Sequence, residues 1–359
     1  MKDIFFTQNL LKDERFLKLL EKDTNRFALI ADETVGKLYG ETLLKFMESK
    51  GLSCTLIPFP CGEKHKNRWQ KEQIEDALIA NTFGRDTTLI AMGGGVATDL
   101  GGFVAATYLR GVPYISIPTT LLGMVDASIG GKTGVNLKEG KNLIGAIYKP
   151  KAIFMDLTML RTLPEREMLN GCAEVIKYGL ISDSSLIKKL KNHASEWKLR
   201  DTKLIEDFVQ TSAQIKTKVV SHDLYESGER RILNFGHTIG HAIEVIEDYK
   251  ISHGEAIAIG MIVEALMAYK MGHLKESDFH KVYDIFKFMD FPLTLSSSMT
   301  TAKMYQALRS DKKARSGAVR FVILSGIGHV ESFKGAYCAS VDDEILSEAL
   351  GWMATEFVK

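Results

Sequence analysis

The feature that most constrains this chain is a series of short apolar runs, each halted by a turn and followed by a stretch of helical periodicity. Residues 27–31 (FALIA) end in Asp32 and precede an amphipathic segment from Thr34 to about Lys50. Residues 54–57 lead into the turn-rich PFPCGEKHKN, and a polar–apolar helix follows through Ile74, Ala77 and Leu78. Residues 87–92 (TTLIAM) have the texture of a fully buried strand stopped by Gly93-Gly94-Gly95, and residues 114–117 and 152–156 continue the series. Strand–helix alternation of this kind implies a mostly parallel sheet covered on both faces, because parallel strands are joined by crossovers that lie over the sheet.

After Pro164 the texture changes. No proline recurs until Pro292, and Leu186, Leu190, Ile205, Phe208 and Val209 follow a helical period. A late β pattern at 319–324 and a closing helix near 342–357 complete the chain. The expected organisation is α/β plus α: a Rossmann-like dinucleotide-binding domain over 1–160 and a mostly α-helical metal- and substrate-binding domain over 161–359. A length of 359 residues suffices for two such cores. The formal net charge of +1, without runs of like charge, gives no support for a nucleic-acid or membrane-surface partner. Cys54, Cys61, Cys172 and Cys338 form no CxxC pair, which suits a reducing cytosol. The first residues carry charges among their apolar side chains and show no signal-peptide pattern, and no stretch reaches the length of a membrane span. The expectation is a cytoplasmic enzyme.

Two segments carry chemistry. Gly93-Gly94-Gly95-Val96 follows a strand and opens a helix that contains Asp99. Glycines there let a ligand approach the main chain, and a helix N-terminus attracts phosphate. The run is not a GxGxxG fingerprint, so a plain tight turn stays open beside a dinucleotide site. The segment from 117 to 150, rich in Gly, Thr and Ser with Asp126, Lys132, Lys138 and Lys141, reads either as a solvated connection or as a ligand-binding loop. A structureless loop of that length is uncommon unless functional, and its lysines suit an anionic, hydroxyl-rich ligand.

A further region places His237, His241 and His253 among Phe235, Ile239, Ala242 and Ile243, where an unpartnered polar side chain is costly. His237 and His241 lie four apart and share a helix face, so by spacing they are the candidate ligand pair, with a further ligand from elsewhere. The pair lacks the Glu directly after the first His of the zinc-protease motif. Core or capping histidines are the alternative.

Taken together, the chain resembles the 3-dehydroquinate synthases of the sugar phosphate cyclase group. The likeness runs from about Asp32 to Gly328 through GEKHKN, GGGVATDLGGFVAA, YLRG, IPTTLLGMVDASIGGKTGVN, KNLIGAIYKP, LPEREMLNGCAEVIKYGLI, LNFGHTIGHAIE, SHGEAIAIGM and DKKARSG. It implies a zinc ion (cobalt being an alternative) held by Glu174, His237 and His253, which moves His241 out of the ligand set and into proton handling. It also implies NAD. Gly93, Gly94, Gly95, Val96 and Asp99 would lie near the pyrophosphate, with Asp32, Glu63, Lys64, His65 and Lys66 toward the adenosine. Thr119, Thr120, Lys132, Lys141, Arg161, Thr162 and Asn170 would add cofactor contacts.

Substrate contacts would come from Asp126, Lys132, Asn142, Lys177, Lys216, Arg230, Asn234, His241 and Lys312. Glu226 joins His241 as a proton carrier, and Arg110 would reach a neighbouring subunit's phosphate site in a homodimer. The implied reaction turns 3-deoxy-D-arabino-heptulosonate 7-phosphate into 3-dehydroquinate and phosphate, a step of the shikimate pathway to chorismate and the aromatic amino acids. It proceeds by transient oxidation, phosphate elimination, reduction and aldol closure, with NAD regenerated. Thr98 stands where the family usually has Gly, which raises the expectation of a shifted turn. Alternatives are another sugar phosphate cyclase, a metal-dependent polyol dehydrogenase and a non-catalytic dinucleotide-binding module.

Overall fold

The apolar runs of the first part assemble into one six-stranded, all-parallel sheet in a computed structural model that describes residues 3–23, 26–138, 140–310 and 319–359. Its strands are β1 (Ile4–Thr7), β2 (Arg26–Asp32), β3 (Ser53–Phe59), β4 (Thr88–Gly93), β5 (Tyr114–Pro118) and β8 (Ala152–Asp156), in the order β1-β8-β5-β4-β2-β3. Helices α1 (Glu14–Asp23), α2 (Glu33–Val35), α3 (Glu41–Ser49), α4 (Arg68–Ala80) and α5 (Gly95–Thr107) accompany it. Side chains alternate across each strand. Ala28, Ile30, Leu89 and Ala91 therefore pack with Ile74 and Leu78 of α4 and Leu100 and Val104 of α5. Phe27, Leu29, Ile90 and Met92 pack instead with Phe16 and Leu20 of α1 and Leu43 and Met47 of α3. Both faces are covered, as a parallel sheet requires. The edge strand β1, half-buried throughout, has no counterpart in the sequence reading.

The segment 117–150 is not a structureless loop. After a π-helical turn at Gly123–Ala127 it forms an antiparallel hairpin of β6 (Lys132–Leu137) and β7 (Gly140–Ile147). A Cβ on Gly145 would lie 1.9 Å from the Thr133 carbonyl oxygen, so glycine is what lets these strands close up. The late β pattern is also corrected. Phe321 makes a single bridge to Ala339, and the strand proper, β9 (Leu324–Gly326), pairs with β10 (His329–Val330).

Contacts divide the chain into two units, Met1–Met168 with Ile205–Gln214, and Leu169–Leu204 with Ile215–Lys359. Helices α6 (Glu165–Ile181) and α9 (Thr202–His222) contribute to both. The second unit also holds α7 (Ser185–Asn192), α8 (Ala194–Lys198), α10 (His237–Ile246), α11 (His253–Lys270), α12 (Glu276–Phe288), α13 (Thr301–Ser310) and α14 (Asp343–Phe357). Helix α11 is buried at Gly254 and without a break from Ala256 to Ala268, and it forms the axis of that unit. Among the described residues no helix is long and apolar enough to cross a membrane.

Candidate active site

In the first unit, β2 lies between β3 and β4, so the chain leaves β2 toward one edge and resumes at β4 on its other side. Open α/β sheets bind ligands beyond the strand ends at such a switch point. Asp32 ends β2, and Gly93 ends β4 beside it. Asp32 caps α2 by accepting the Thr34 and Val35 N–H groups, each at 3.0 Å. Gly93 has φ +150°, and a Cβ there would lie 2.6 Å from that of Ala97. Gly94 is the N-cap of α5, and a Cβ on it would come 3.1 Å from Thr120 Cγ2. Thr98 sits inside α5 with its hydroxyl donating to the Gly95 carbonyl at 3.1 Å, so the helix accommodates it.

Glu63, Lys64 and His65 form a 3-10 turn after β3, and Glu63 Oε1 accepts from Asn136 at 2.8 Å, with Lys141 at 3.9 Å. Lys66 is buried and turned toward another group of residues. Its ammonium pairs with Asp99 and donates to Asn142 Oδ1 at 2.6 Å. Asn142 is held at φ +54°, with its N–H on Asn136 Oδ1 at 2.9 Å. A residue expected at the adenosine end thus bridges an expected cofactor contact and an expected substrate contact. Thr119 follows β5 and donates its N–H to the Gly93 carbonyl at 2.9 Å, while Thr120 Oγ1 accepts from Gly123. Arg161 and Thr162 lie on the 3-10 turn after β8, where Thr162 pairs with the Tyr39 hydroxyl. Asp126 is on the π-helical turn, Lys132 opens β6 exposed, and Arg110 is exposed at φ +71°.

In the second unit, Glu174, His237 and His253 converge, with one potential ligand atom from each within 4.8 Å of the others. Asn170, Glu174 and Lys177, spaced by four and three, share one face of α6. The His237 and His253 Nε2 atoms lie 3.3 and 3.4 Å from Glu174 Oε1. The other ring nitrogens already face acceptors: His237 Nδ1 the Phe235 carbonyl at 3.1 Å, His253 Nδ1 the Glu244 carboxylate at 3.3 Å. A proton fixed on each Nδ1 leaves the Nε2 lone pairs directed at the common point, an arrangement typical of metal-bound histidine.

Glu174 is fully buried, and although Lys177 and both histidines are in ion-pair range, neither oxygen meets hydrogen-bond geometry with a partner. A fully buried carboxylate that faces one ammonium and two imidazole Nε2 atoms is a site where a bound cation would replace the histidine protons. Burial alone would raise its pKa, but the Lys177 ammonium and then the two imidazoles hold it well below the usual carboxylate range. Burial and the Lys177 charge push His237 down, toward the neutral form that can ligate. Burial also opposes charging of His253, yet Glu244 and Glu174 outweigh it and push that pKa up to about 9, so a divalent ion there competes with a proton. One carboxylate with two imidazoles fits a catalytic divalent ion of the zinc type.

Glycine and caps set this geometry. A Cβ on Gly260 would lie 2.0 Å from the Gly236 carbonyl oxygen, and one on Gly240 would lie 3.0 Å from Ile257 Cα. Helices α10 and α11 therefore touch through their main chains, which brings together histidines sixteen residues apart. Glu264, fully buried on α11, accepts the Gly236 N–H at 2.8 Å and the Ile239 N–H at 3.4 Å, capping α10 where His237 begins it. Ser252 and Glu255 form a capping box around His253. The S-x-x-E spacing of Ser252 and Glu255 is the local sequence signal of this cap. Asn170, expected to touch the cofactor, accepts the Gly254 N–H on Oδ1 at 2.6 Å.

His241 lies one turn after His237, with their rings 5.3 Å apart. It belongs to a second possible cation set with Glu244 and His253. Lys216 is buried on α9, as is Arg230 on the 3-10 turn Glu229–Asn234. Asn234 donates to the Glu226 carboxylate. Lys312 lies outside the described residues.

Two family descriptions match the chain: 3-dehydroquinate synthase N-terminal over residues 56–170 and C-terminal over 171–314. A 3-dehydroquinate synthase of Desulforamulus reducens is 41% identical over 307 residues, 85% of this chain and 86% of the relative. One of Syntrophotalea carbinolica is 43% identical over 304 residues, 84% of each. Among solved structures, ValA (2-epi-5-epi-valiolone synthase) from Streptomyces hygroscopicus, with NAD+ and Zn2+ bound, superposes with a TM-score of 0.90 at 31% identity, covering 98% of this chain and 96% of that one. A 2-deoxy-scyllo-inosose synthase complexed with carbaglucose-6-phosphate, NAD+ and Co2+ gives 0.87 at 26% identity, covering 97% and 95%.

Proposed function

The chain belongs to the 3-dehydroquinate synthase family, and from that membership we propose that it converts 3-deoxy-D-arabino-heptulosonate 7-phosphate into 3-dehydroquinate and phosphate. It is an enzyme, a phosphate-eliminating cyclase. The observation that carries this reading is the convergence of two imidazole Nε2 atoms on a fully buried carboxylate. Its relatives of 41% and 43% identity favour the heptulosonate over the sugars of valiolone-type cyclases, represented here at 31%.

When bound, NAD accepts and returns a hydride, and a divalent metal, zinc in our proposal, polarises the substrate carbon–oxygen bond. Glu174, His237 and His253 hold the metal. Gly93, Gly94 and Gly95 would hold the pyrophosphate, with Asp32 toward the adenosine end. Lys132, Lys177, Lys216 and Arg230 hold the phosphate and carboxylate through charge-assisted hydrogen bonds, which neutral side chains cannot replace. His241 and Glu226 move protons at the ring hydroxyls, Glu226 being braced by Asn234. The departing phosphate takes the proton from the carbon acidified by oxidation. Exposed Arg110 reaches a neighbouring subunit in a cytoplasmic homodimer.

The test is to supply the heptulosonate phosphate, zinc and substoichiometric NAD, and to follow phosphate and dehydroquinate together. Product far in excess of cofactor is expected. NADH accumulating one-for-one with substrate would overturn the reading in favour of a dehydrogenase.

A further inference from the structure

We propose that Asp223 is the positioning residue that aims Arg230 and Glu226 at the substrate, an inference that rests on the reading of those two as substrate-handling groups. Asp223 follows the last residue of α9 and leaves the helix with φ −144° and ψ 83°. Its carboxylate collects four donors from the next seven residues. Oδ1 accepts the Ser227 N–H at 2.9 Å and the Ser227 hydroxyl at 3.1 Å, while Oδ2 accepts the Gly228 N–H at 2.7 Å and the Arg230 N–H at 3.1 Å. Burial alone would raise this carboxyl, but the N–H groups of Ser227, Gly228 and Arg230 bring it down to about 2, so it stays ionised at any working pH.

What the carboxylate closes is a loop with two groups of the proposed reaction on it. Glu226 is held at φ +60°, a left-handed backbone that a non-glycine residue keeps only when its surroundings enforce it. The main chain of Arg230 is tied to Asp223, and its guanidinium Nη1 donates to the Leu224 carbonyl at 2.6 Å. Both ends of Arg230 are therefore referred to the same loop. Asn234 donates to Glu226 from the far end of the 3-10 turn, so a shift at Asp223 moves cation and carboxylate together.

The experiment compares Asp223→Ala and Asp223→Asn with Arg230→Ala and the Asp223→Ala/Arg230→Ala pair. Each is assayed for turnover of the heptulosonate phosphate and for affinity toward inorganic phosphate by calorimetry, with zinc content and melting temperature recorded. We expect folded, zinc-loaded Asp223→Ala to lose about 10²-fold in kcat/KM, the scale of a displaced positioning group. Its phosphate affinity should weaken about tenfold through the lost charge-assisted contact of Arg230. Asp223→Asn keeps one acceptor oxygen and should fall between, and it serves if the alanine variant does not fold. Added to Arg230→Ala, the Asp223 substitution should cost less in kcat/KM than it does alone and nothing further in phosphate affinity, because only its hold on Glu226 is left to lose. A lowered melting temperature with unchanged kcat/KM and phosphate affinity, or costs that simply multiply, would overturn the proposal. Wild-type protein that binds phosphate with this coupling yet does not turn over the heptulosonate would overturn the activity instead.

Discussion

The two units build their sites from opposite materials. In the first, the cradle at the β2–β4 switch point is main chain: glycines at a strand end, a helix N-terminus and one acidic cap. In the second, the site is side chain throughout, and glycine acts at a distance by letting α10 and α11 touch so that His237 and His253 meet over Glu174. A main-chain cradle is sensitive to an added Cβ, whereas a side-chain site is sensitive to the loss of a donor and to anything that separates the helices carrying it.

The sharpest way to break the contrast is to remove a donor. Glu174→Ala, His237→Ala and His253→Ala should each lose the metal and abolish turnover, read by metal analysis of the purified protein, because an open catalytic site has no ligand to spare. His241→Ala should keep its metal while turnover falls. If His241→Ala lost the metal as completely as His237→Ala did, the spacing-based pair would be the true one.

Next in size is Gly260→Ala, which touches no ligand. Its Cβ meets the Gly236 carbonyl oxygen at 2.0 Å, with no flexible neighbour to yield. Forced separation of the helices should destabilise the fold by about 1–3 kcal/mol and weaken metal binding as well. Full metal affinity in a less stable Gly260→Ala protein would separate packing from ligation.

Glu244→Ala removes the acceptor behind His253 Nδ1. Metal affinity should drop about 10–100-fold, the usual scale for such a partner, in a competition titration against a chelator. In the first unit, Gly93→Ala should cost NAD binding roughly 1–3 kcal/mol through backbone strain at φ +150°, with metal content untouched. The smallest effect expected is for Arg230→Lys, which keeps the charge but not the two-pronged geometry, and so raises KM while sparing part of the activity.

The two materials also differ in how far the sequence displays them. Strands β2, β4, β5 and β8 and the glycine turn after β4 are local patterns, legible as apolar runs closed by glycine, Asp or proline. The hairpin of β6 and β7 mixes glycines, lysines and asparagines among its apolar residues, so it lacks the alternation that marks a strand, and it reads as a loop. Periodicity nominated His237 with His241 because four residues is one turn. The approach of His253 depends on α10 packing on α11, which no spacing displays. Glu174 looks like any helical glutamate until its burial is known. The family likeness, and not periodicity, named it.

Glu264 gives the side-chain site one further property. By gripping the Gly236 and Ile239 N–H groups from the neighbouring helix, it fastens the two histidine-bearing segments to each other as the chain folds. Because this grip uses protein groups alone, the ordering of the ligands should not depend on the ion, in contrast to small domains that fold only around their metal. A protein stripped by a chelator should thus keep its native circular dichroism and refill on adding metal. Its recovery would be limited by ion exchange with solvent and not by refolding.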